Sequence, residues 1–473
     1  MSIIKSISGI RGTVGGEPGD NLTPVEIIKF SQAFGTFIRQ EKNLTRPVIV
    51  IGRDSRISGK MISDLISGIL TSQGIDVIDI GQATTPTVAM AVIFEKADGA
   101  IVITASHNPQ GWNALKFLGA GGEFISKDAG EKILSLAEEE FKGYVLEEGI
   151  GSYSFNPNLE ERHIAEIIKL PLVDKEVISK RDFKIVIDGI NSVGARAIPN
   201  TLEALGVKNK IVINDSLDGH FAHNPEPLAE NLSEIMARVK TEKADLGIVV
   251  DPDVDRLAFI DEKGEIFGEE YTLVAIADYV LANFSLLNQA YPEKYQKATV
   301  SNLSSSRALR DISLKYGVIY EAAAVGEVNV VKKMKELKAV IGGEGNGGII
   351  YPALHYGRDA MVGAALFLSA LALSGKKVSE LRAELPNYFM VKDKLALSPE
   401  LKINLILDNL KKEYQRENIT DIDGLKIDWD NYWVHLRVSN TEPIIRIYAE
   451  AETEAEAKQK VEEIKAKILD YNK

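Results

Sequence analysis

The stretch Pro47-Val-Ile-Val-Ile-Gly-Arg-Asp-Ser-Arg56 joins an apolar run to a polar turn, and the chain contains two more units of this kind. The second is Phe183-Lys-Ile-Val-Ile-Asp-Gly-Ile-Asn-Ser192, and the third is Ala298-Thr-Val-Ser-Asn-Leu-Ser-Ser305. In each unit an amphipathic segment follows the turn, and a glycine then leads into a second apolar run. This pattern is typical of a strand, a turn, a helix and a second strand. Such alternation predicts right-handed crossovers and largely parallel sheets. Three units therefore predict three similar α/β domains.

The last part of the chain has a different pattern. Two runs of alternating polarity, 432–438 and 444–449, flank a turn, and a charged helical segment follows from about Glu454 to Leu469. This pattern predicts a small α+β domain that begins after Leu385, where Pro386-Asn387 interrupts regular structure. At 473 residues the chain is long enough for three or four domains. The predicted domains are 1–156, 157–262, 263–385 and 386–473.

Composition narrows the possible partners. A net charge of −13 argues against nucleic acid, and no apolar run reaches the length of a membrane span. The chain has no cysteine, which excludes disulfides, thiolate chemistry and zinc–sulfur sites. Its first residues lack a signal-peptide pattern, so we expect a cytoplasmic protein without a membrane partner. An acidic protein that binds an anion needs local cations, and several arginines lie beside turn-forming residues: Arg53, Arg56, Arg256, Arg437 and Arg446.

The first chemically informative motif is Thr104-Ala-Ser-His-Asn-Pro109, which follows the apolar run 99–103. The run predicts a buried strand, so Ser106 would lie at the carboxyl edge of a sheet, where α/β proteins bind their ligands. This position favours a serine that takes part in chemistry. The alternative interpretation is a strand-to-helix turn in which Ser106 caps the helix.

The second motif is Asp251-Pro-Asp-Val-Asp-Arg256, after the apolar run 246–250. Three carboxylates at this spacing repel one another unless a cation binds them, and ligation by oxygen alone favours Mg²⁺. A calcium EF-hand loop does not fit, because its sixth position requires glycine and here holds Arg256. The remaining alternative is a solvated acidic turn.

Two further motifs offer polar groups in turns. Gly342-Gly-Glu-Gly-Asn-Gly-Gly348 predicts an exposed loop whose Glu344 and Asn346 suit sugar hydroxyls, whereas the acid would repel a nucleotide phosphate. Arg437-Val-Ser-Asn-Thr441 places a guanidinium, hydroxyls and an amide together, as a phosphate-binding turn would. The alternatives are a flexible glycine loop and an ordinary hairpin turn.

These four motifs, in this order, resemble the α-D-phosphohexomutase family. The similarity extends from Ser8-Gly-Ile-Arg-Gly12 to the turn at Arg437, and within the family the chain is most similar to the archaeal-type phosphoglucosamine mutase group. The resemblance implies a heart-shaped architecture of three α/β domains and one α+β domain. It also implies that Ser106 carries a phosphoryl group and that one Mg²⁺ is bound by the serine phosphate with Asp251, Asp253 and Asp255.

The resemblance implies roles for other residues as well. Arg256 would neutralise the transferred phosphoryl group, His107 and Lys116 are the candidates for proton transfer, and Arg11 and Arg53 would border the pocket. Substrate would be bound through Glu344 and Asn346 and through Arg437, Ser439, Asn440, Thr441 and Arg446. One departure from the family concerns the glycine-rich motif, because Asn346-Gly347-Gly348 stands where many members have Ser-Gly-His. We expect it to affect the choice of hexose.

The expected reaction is the interconversion of hexose 6-phosphate and hexose 1-phosphate through a hexose 1,6-bisphosphate, with glucosamine phosphate as the favoured substrate. The partner is thus a small phosphosugar, and the chain is expected to be a monomer or homodimer. Three alternatives remain open: a phosphomannomutase or phosphoglucomutase, a Mg²⁺-dependent phosphomonoesterase, and a phosphosugar-binding protein without catalysis.

Overall fold

Four sheets, each built from a separate part of the chain, organise the computed structural model. The structure describes residues 3–6, 9–141, 143–397, 403–439 and 444–471. We number the sheets I to IV in chain order.

Sheet I has seven strands in the order β1-β2-β6-β5-β3-β4-β7. Its centre is parallel, whereas β1, β2 and β6 run antiparallel to their neighbours. Four helices pack with these strands. The elements are β1 (Ile4–Ser6), β2 (Gly9–Thr13), α1 (Pro24–Lys42), β3 (Val48–Arg53), α2 (Gly59–Ser72), β4 (Asp76–Gln82), α3 (Thr85–Glu95), β5 (Gly99–Ile103), β6 (Trp112–Gly119), α4 (Lys127–Ala137) and β7 (Tyr153–Phe155).

Sheets II and III share one plan, in which three parallel strands end in an antiparallel edge strand. Sheet II has the strand order β11-β10-β8-β9. The elements of this part of the chain are α5 (Leu159–Ile168), α6 (Lys175–Lys180), β8 (Lys184–Asp188), α7 (Gly194–Ala204), β9 (Asn209–Ile213), α8 (Ser233–Glu242), β10 (Leu246–Val250) and β11 (Leu257–Ile260). Sheet III has the strand order β13-β12-β14-β15. The elements of this part of the chain are α9 (Glu269–Ala282), α10 (Phe284–Ala290), β12 (Gln296–Asn302), α11 (Ala308–Lys315), β13 (Ile319–Ala323), α12 (Glu327–Leu337), β14 (Ala339–Glu344), β15 (Gly348–Ile350), α13 (Ala360–Ser374) and α14 (Val378–Ala383).

The predicted repeat is confirmed. In each unit the two apolar runs form neighbouring parallel strands, namely β3 and β4, β8 and β9, and β12 and β13. The amphipathic segments between them form α2, α7 and α11.

Sheet IV is antiparallel throughout, in the order β16-β20-β19-β18-β17, as the alternating polarity of its strands predicts. Its elements are β16 (Phe389–Ala396), α15 (Ile403–Glu413), β17 (Asn418–Thr420), β18 (Leu425–Asp428), β19 (Trp433–Val438), β20 (Ile444–Ala451) and α16 (Glu454–Asp470).

Helix α13 lies in a core that sheets II and III share. It is apolar on all sides, and it contacts α5, α6 and α7 as well as α9. Among the described helices no single one is long and apolar enough to cross a membrane; α9 and α10 meet that test only as a pair, bent by 67° at the break between them.

The carboxyl ends of three buried strands lead into the motifs singled out in the sequence. Strand β5 leads to Ser106, β10 leads to Asp251, and β14 ends at Glu344. The fold therefore places one motif at the edge of each α/β sheet.

Candidate active site

Ser106 lies in a tight turn between β5 and β6. Its φ angle of 48° is in the left-handed region, which is uncommon for a residue other than glycine. The backbone N–H of Ser106 donates to Thr104 Oγ1 at 2.9 Å, and the Thr104 hydroxyl donates to Asp54 at 2.6 Å. Because a strand and not a helix follows the turn, the helix-cap interpretation of Ser106 is wrong.

Arg56 holds this turn from behind. The side chain is fully buried, pairs with Asp54 at 3.1 Å and lies over the ring of Phe221. Its Nη1 and Nη2 atoms donate at 2.6–2.9 Å to backbone carbonyls of the turn, those of Ser106, Asn108, Pro109 and Trp112. The sequence places Arg56 among arginines suited to an anion. The structure corrects that expectation, since the guanidinium is occupied by the protein itself.

The three aspartates lie directly opposite Ser106. The Ser106 hydroxyl donates to Asp251 Oδ2 at 2.6 Å, although 145 residues separate them. Asp253 Oδ2 accepts hydrogen bonds from the Thr85 hydroxyl at 2.6 Å and from Lys116 Nζ at 2.8 Å. Asp255 Oδ2 accepts one from Arg358 Nη2 at 2.6 Å. The serine motif and the aspartate motif thus form one site.

The aspartates have the properties of a site for a divalent cation. All three are fully buried, and one oxygen from each lies within 4.8 Å of the others. Within the described residues, Asp253 Oδ1 and Asp255 Oδ1 are buried without a hydrogen-bond partner. Burial and the charges of Asp255 and Asp253 raise the pKa of Asp251 well above its usual range. A hard cation would satisfy the unpaired oxygens and offset this repulsion, so the donor set fits Mg²⁺.

The backbone of the aspartate loop is strained at Val254. This residue has a φ angle of 62°, and its side chain is fully buried. A β-branched residue rarely adopts this conformation, and such strain is concentrated at functional sites.

His107 and Lys116 are both close to Ser106 and the aspartates, as the resemblance implies. His107 Nδ1 lies 3.5 Å from Ser106 Oγ. Burial, together with the charges of Arg256, Arg358 and Lys116, lowers the pKa of His107 to about 2. Burial also opposes the charged form of Lys116, but Asp253 and Asp255 outweigh it and raise the lysine pKa. At neutral pH the His107 imidazole is therefore neutral, and the Lys116 ammonium group is charged.

Three arginines from different sheets form a cationic cluster. Burial and the nearby charges of Arg446 and Arg256 lower the pKa of Arg11. Arg256 Nη1 donates to Glu226 at 3.2 Å. The Nε atoms of Arg11 and Arg256 are buried and, within the part of the chain that is described, have no partner. Such a cluster is suited to an anion with several oxygens, such as a phosphate group.

The structure describes some of the other predicted phosphate ligands but not all of them. Arg437 Nε lies 3.0 Å from Asp423 Oδ2, and the Arg437 side chain is 25% exposed. Ser439 follows β19, whereas Asn440 and Thr441 lie outside the described residues. Arg53 donates to the Asp54 carbonyl, and the acids that act on its charge are Asp79, Asp54 and Asp64.

The glycine-rich motif differs from the exposed loop expected from its sequence. It forms the buried turn between β14 and β15, and Glu344 is only 5% exposed. Glu344 accepts hydrogen bonds from Asn302 at 2.9 Å, Gly326 N at 3.1 Å and Arg358 at 3.1 Å. Asn346 Oδ1 accepts from the N–H of Gly348 at 3.2 Å. The prediction of an exposed loop was wrong because long-range partners cover the acid.

Sequence reasoning missed three residues of the site. Thr85 follows the carboxyl end of β4, a position at which polar residues could have drawn attention. Asp54 follows β3 in the same way. Arg358 lies between a turn and helix α13 and belongs to none of the motifs, so only the fold reveals it.

Comparison with known families gives matches along the chain. Four models described as phosphoglucomutase/phosphomannomutase match it: alpha/beta/alpha domain I at residues 3–143, domain II at 161–264, domain III at 269–389 and the C-terminal domain at 399–467.

Curated relatives are similar over nearly their whole length. A phosphoglucomutase/phosphomannomutase of Thermococcus kodakarensis is 38% identical, with 96% of each chain covered. A phosphoglucosamine/phosphogalactosamine mutase of Sulfurisphaera tokodaii is 36% identical over 98% of this chain and 99% of that protein.

Solved structures share the fold. A phosphoglucomutase/phosphomannomutase family protein of Burkholderia thailandensis superimposes with a TM-score of 0.80 at 24% identity, covering 99% of this chain and 98% of the other. An N-acetylphosphoglucosamine mutase of Aspergillus fumigatus, solved with GlcNAc-6P and magnesium, gives a TM-score of 0.56 at 14% identity, covering 93% and 96%.

Proposed function

The chain belongs to the phosphoglucomutase/phosphomannomutase family of isomerases, and from this premise we propose that it interconverts hexose 6-phosphate and hexose 1-phosphate through a phosphorylated Ser106. The observation that carries the proposal is the contact of 2.6 Å between Ser106 Oγ and Asp251. It places a strained, nearly buried serine against a site suited to Mg²⁺. A nucleophile and charge-neutralising groups at one point are what phosphoryl transfer requires.

The proposed reaction has two transfers. In the first, a free hydroxyl of the sugar attacks the phosphorus of phospho-Ser106, the bond from Ser106 Oγ to phosphorus breaks, and the hydroxyl proton passes to a base. His107 is a candidate for that base by its position, since its Nδ1 lies 3.5 Å from Ser106 Oγ. The leaving Ser106 oxygen takes up a proton, for which Lys116 is the candidate donor. The resulting hexose 1,6-bisphosphate then turns around, Ser106 Oγ attacks its other phosphorus and gives up its proton, and the sugar oxygen leaves with a proton as its bond to phosphorus breaks. Mg²⁺ held by Asp251, Asp253 and Asp255 would neutralise charge on the transferred group.

The phosphate that does not react must be bound in both orientations of the sugar. Arg446 of sheet IV supports this role, since its charge acts on Arg11 at the edge of the pocket. Arg256, which directly follows Asp255, would instead neutralise the transferred phosphoryl group. Arg437 lies on β19 opposite Arg446 on β20, and Ser439 follows β19. We therefore include Arg437 and Ser439 with Asn440 and Thr441 in the proposed phosphate site.

Arg437→Ala is expected to raise KM for hexose phosphates roughly tenfold to hundredfold, because a charge-assisted hydrogen bond contributes about 1.5–3 kcal/mol. Steady-state kinetics measures this effect. The exposed Arg416 of the same domain provides the control Arg416→Ala. If Arg437→Ala weakens the binding of an unphosphorylated sugar equally, Arg437 supports the hairpin and not the phosphate.

We further propose that glucosamine phosphate is the preferred substrate. Glu344 and Glu327 lie near each other and share one guanidinium, that of Arg358, so this part of the site has an excess of negative charge. That excess favours a 2-ammonium group over a 2-hydroxyl. The similarity to the Sulfurisphaera tokodaii phosphoglucosamine/phosphogalactosamine mutase points the same way. Phosphomannomutase or phosphoglucomutase activity is the second candidate, favoured by the Thermococcus kodakarensis relative.

Glu344→Gln is expected to lower kcat/KM for glucosamine 1-phosphate roughly tenfold to hundredfold, since losing a buried polar partner costs about 1–3 kcal/mol. Coupled assays with glucosamine, glucose and mannose 1-phosphates measure both this loss and the preference of the unmodified enzyme. Glu336→Gln, on the solvent side of α12, is the matched control. A preference for glucose or mannose would exclude the amino sugar as the main substrate. Release of inorganic phosphate in place of isomerisation would indicate a phosphomonoesterase.

A further inference from the structure

Arg358 connects the aspartate loop of sheet II with the glycine-rich turn of sheet III. Its Nη2 donates to Asp255 Oδ2 at 2.6 Å, and its Nη1 donates to Glu344 Oε2 at 3.1 Å. Its Nε donates to Glu327 at 2.8 Å. One guanidinium therefore contacts an acid of the candidate metal site and an acid of the candidate sugar site, which are 89 residues apart in the chain.

The side chain of Arg358 is fixed in this position by the glycine-rich turn. A Cβ atom added to Gly348 would lie 2.3 Å from Arg358 Cδ, so the arginine occupies the space left by the missing side chain. The two loops also meet directly, because the N–H of Leu257 donates to the Gly347 carbonyl at 3.0 Å. Arg358 is 11% exposed at its side chain.

The hydrogen bonds of Arg358 leave specific acceptor atoms open. Asp255 uses Oδ2 for the arginine, and its Oδ1 is buried with no partner in the described ranges. Glu344 uses Oε1 for Asn302 and Gly326, and among the described residues its Oε2 bonds to Arg358 alone. A carboxylate has about four acceptor positions, so one position on Oε2 stays available for a ligand. Arg358 thereby holds one carboxylate in each half of the site, and each of these carboxylates keeps an unused acceptor position.

We propose that Arg358 is a positioning residue shared by both halves of the site: it is the counter-charge of the metal loop and it orients Glu344 toward the sugar. The second role rests on the proposed function. The first does not, because it concerns only the binding of a cation to the aspartates. A guanidinium suits this position better than an ammonium group, since its planar fork reaches two carboxylates at once.

The test compares Mg²⁺ binding and turnover in Arg358→Gln and Arg358→Lys. Calorimetric titration with Mg²⁺ alone should show that Arg358→Gln binds the cation at least about threefold more tightly, because a positive charge next to Asp255 is removed. The same variant should lose about tenfold or more in kcat/KM, because Glu344 is no longer held. If Arg358 only maintained the fold, its loss would loosen the aspartate loop and weaken Mg²⁺ binding.

Arg358→Lys separates charge from geometry. It keeps the positive charge, so its Kd for Mg²⁺ should stay within about threefold of the unmodified enzyme, but kcat/KM should still fall about tenfold because one ammonium cannot bridge both acids. Gly348→Ala is a second route that keeps the arginine in the chain but displaces its side chain sterically. It should lower kcat/KM and, because the guanidinium moves away from Asp255, shift Mg²⁺ affinity in the same direction as Arg358→Gln. If Arg358→Gln does not fold, Gly348→Ala takes its place as the test of the two roles of Arg358.

Weaker Mg²⁺ binding by a folded Arg358→Gln would overturn the counter-charge role, and full kcat/KM in Arg358→Lys or Gly348→Ala would overturn the positioning of Glu344. If the unmodified enzyme isomerises none of the hexose phosphates, the proposed function fails by itself. The order of Mg²⁺ affinities still decides the first role in that case.

Discussion

Ser106→Ala is expected to reduce hexose phosphate isomerisation by at least about a thousandfold, because the covalent carrier of the phosphoryl group is removed. A coupled assay in the direction of hexose 6-phosphate formation measures the loss. Alanine also lacks the hydroxyl that donates to Asp251, but it leaves the Arg56 contacts with the turn intact, because these go to backbone carbonyls. We therefore expect the variant to fold and to bind hexose phosphates.

Ser67→Ala is the matched control, since the Ser67 hydroxyl donates only to the Ser63 carbonyl one turn earlier in α2. It should retain full activity. Turnover by Ser106→Ala at a rate similar to that of Ser67→Ala would show that the phosphoryl group is carried elsewhere.

Asp253→Asn is expected to have the second-largest effect. Replacing one carboxylate by an amide lowers the charge of the metal site, and Mg²⁺ binding by hard oxygen ligands depends on that charge. Because a catalytic metal ion contributes several kcal/mol to charge stabilisation in the transition state, kcat should fall roughly a thousandfold. Calorimetric titration should show Mg²⁺ binding at least about tenfold weaker.

Asp245→Asn is the control for this variant, because Asp245 lies next to the opposite end of β10 and accepts a hydrogen bond from Lys184 N. It should leave Mg²⁺ affinity and kcat unchanged. Unaltered metal binding in Asp253→Asn would mean that the three acids are a structural cluster without a catalytic cation.

Much of the fold follows from the sequence because its signals are local. The apolar runs at 47–51, 183–187 and 246–250 become buried strands. Glycine follows the three helices of the repeat, α2, α7 and α11. The change to alternating polarity at 432–438 predicts the separate α+β domain, whose sheet is antiparallel in the structure. The common core of sheets II and III is less visible in the sequence, because the uniformly apolar α13 does not indicate which helices it will contact.

The candidate site is predictable only where its residues lie at the ends of strands. Ser106 and the three aspartates meet that condition, and the structure brings them together. Arg56 and Arg358 do not meet it. Their hydrogen-bond partners are up to 56 and 103 residues away, so neither the burial of Arg56 nor the bridge made by Arg358 has a local signal. The sequence also led us to expect an exposed Glu344, because the residues that cover it, Asn302, Gly326 and Arg358, are distant in the chain.

Transfer of label from Ser106 to substrate tests the central claim most directly. The enzyme would be phosphorylated with a hexose 1,6-bisphosphate carrying radiolabelled phosphate, the labelled residue identified by peptide mass spectrometry, and a single turnover started with unlabelled hexose monophosphate and Mg²⁺. The predicted result is label on Ser106 that moves to the sugar within one turnover. Label on another residue, or label released as inorganic phosphate, would contradict the account.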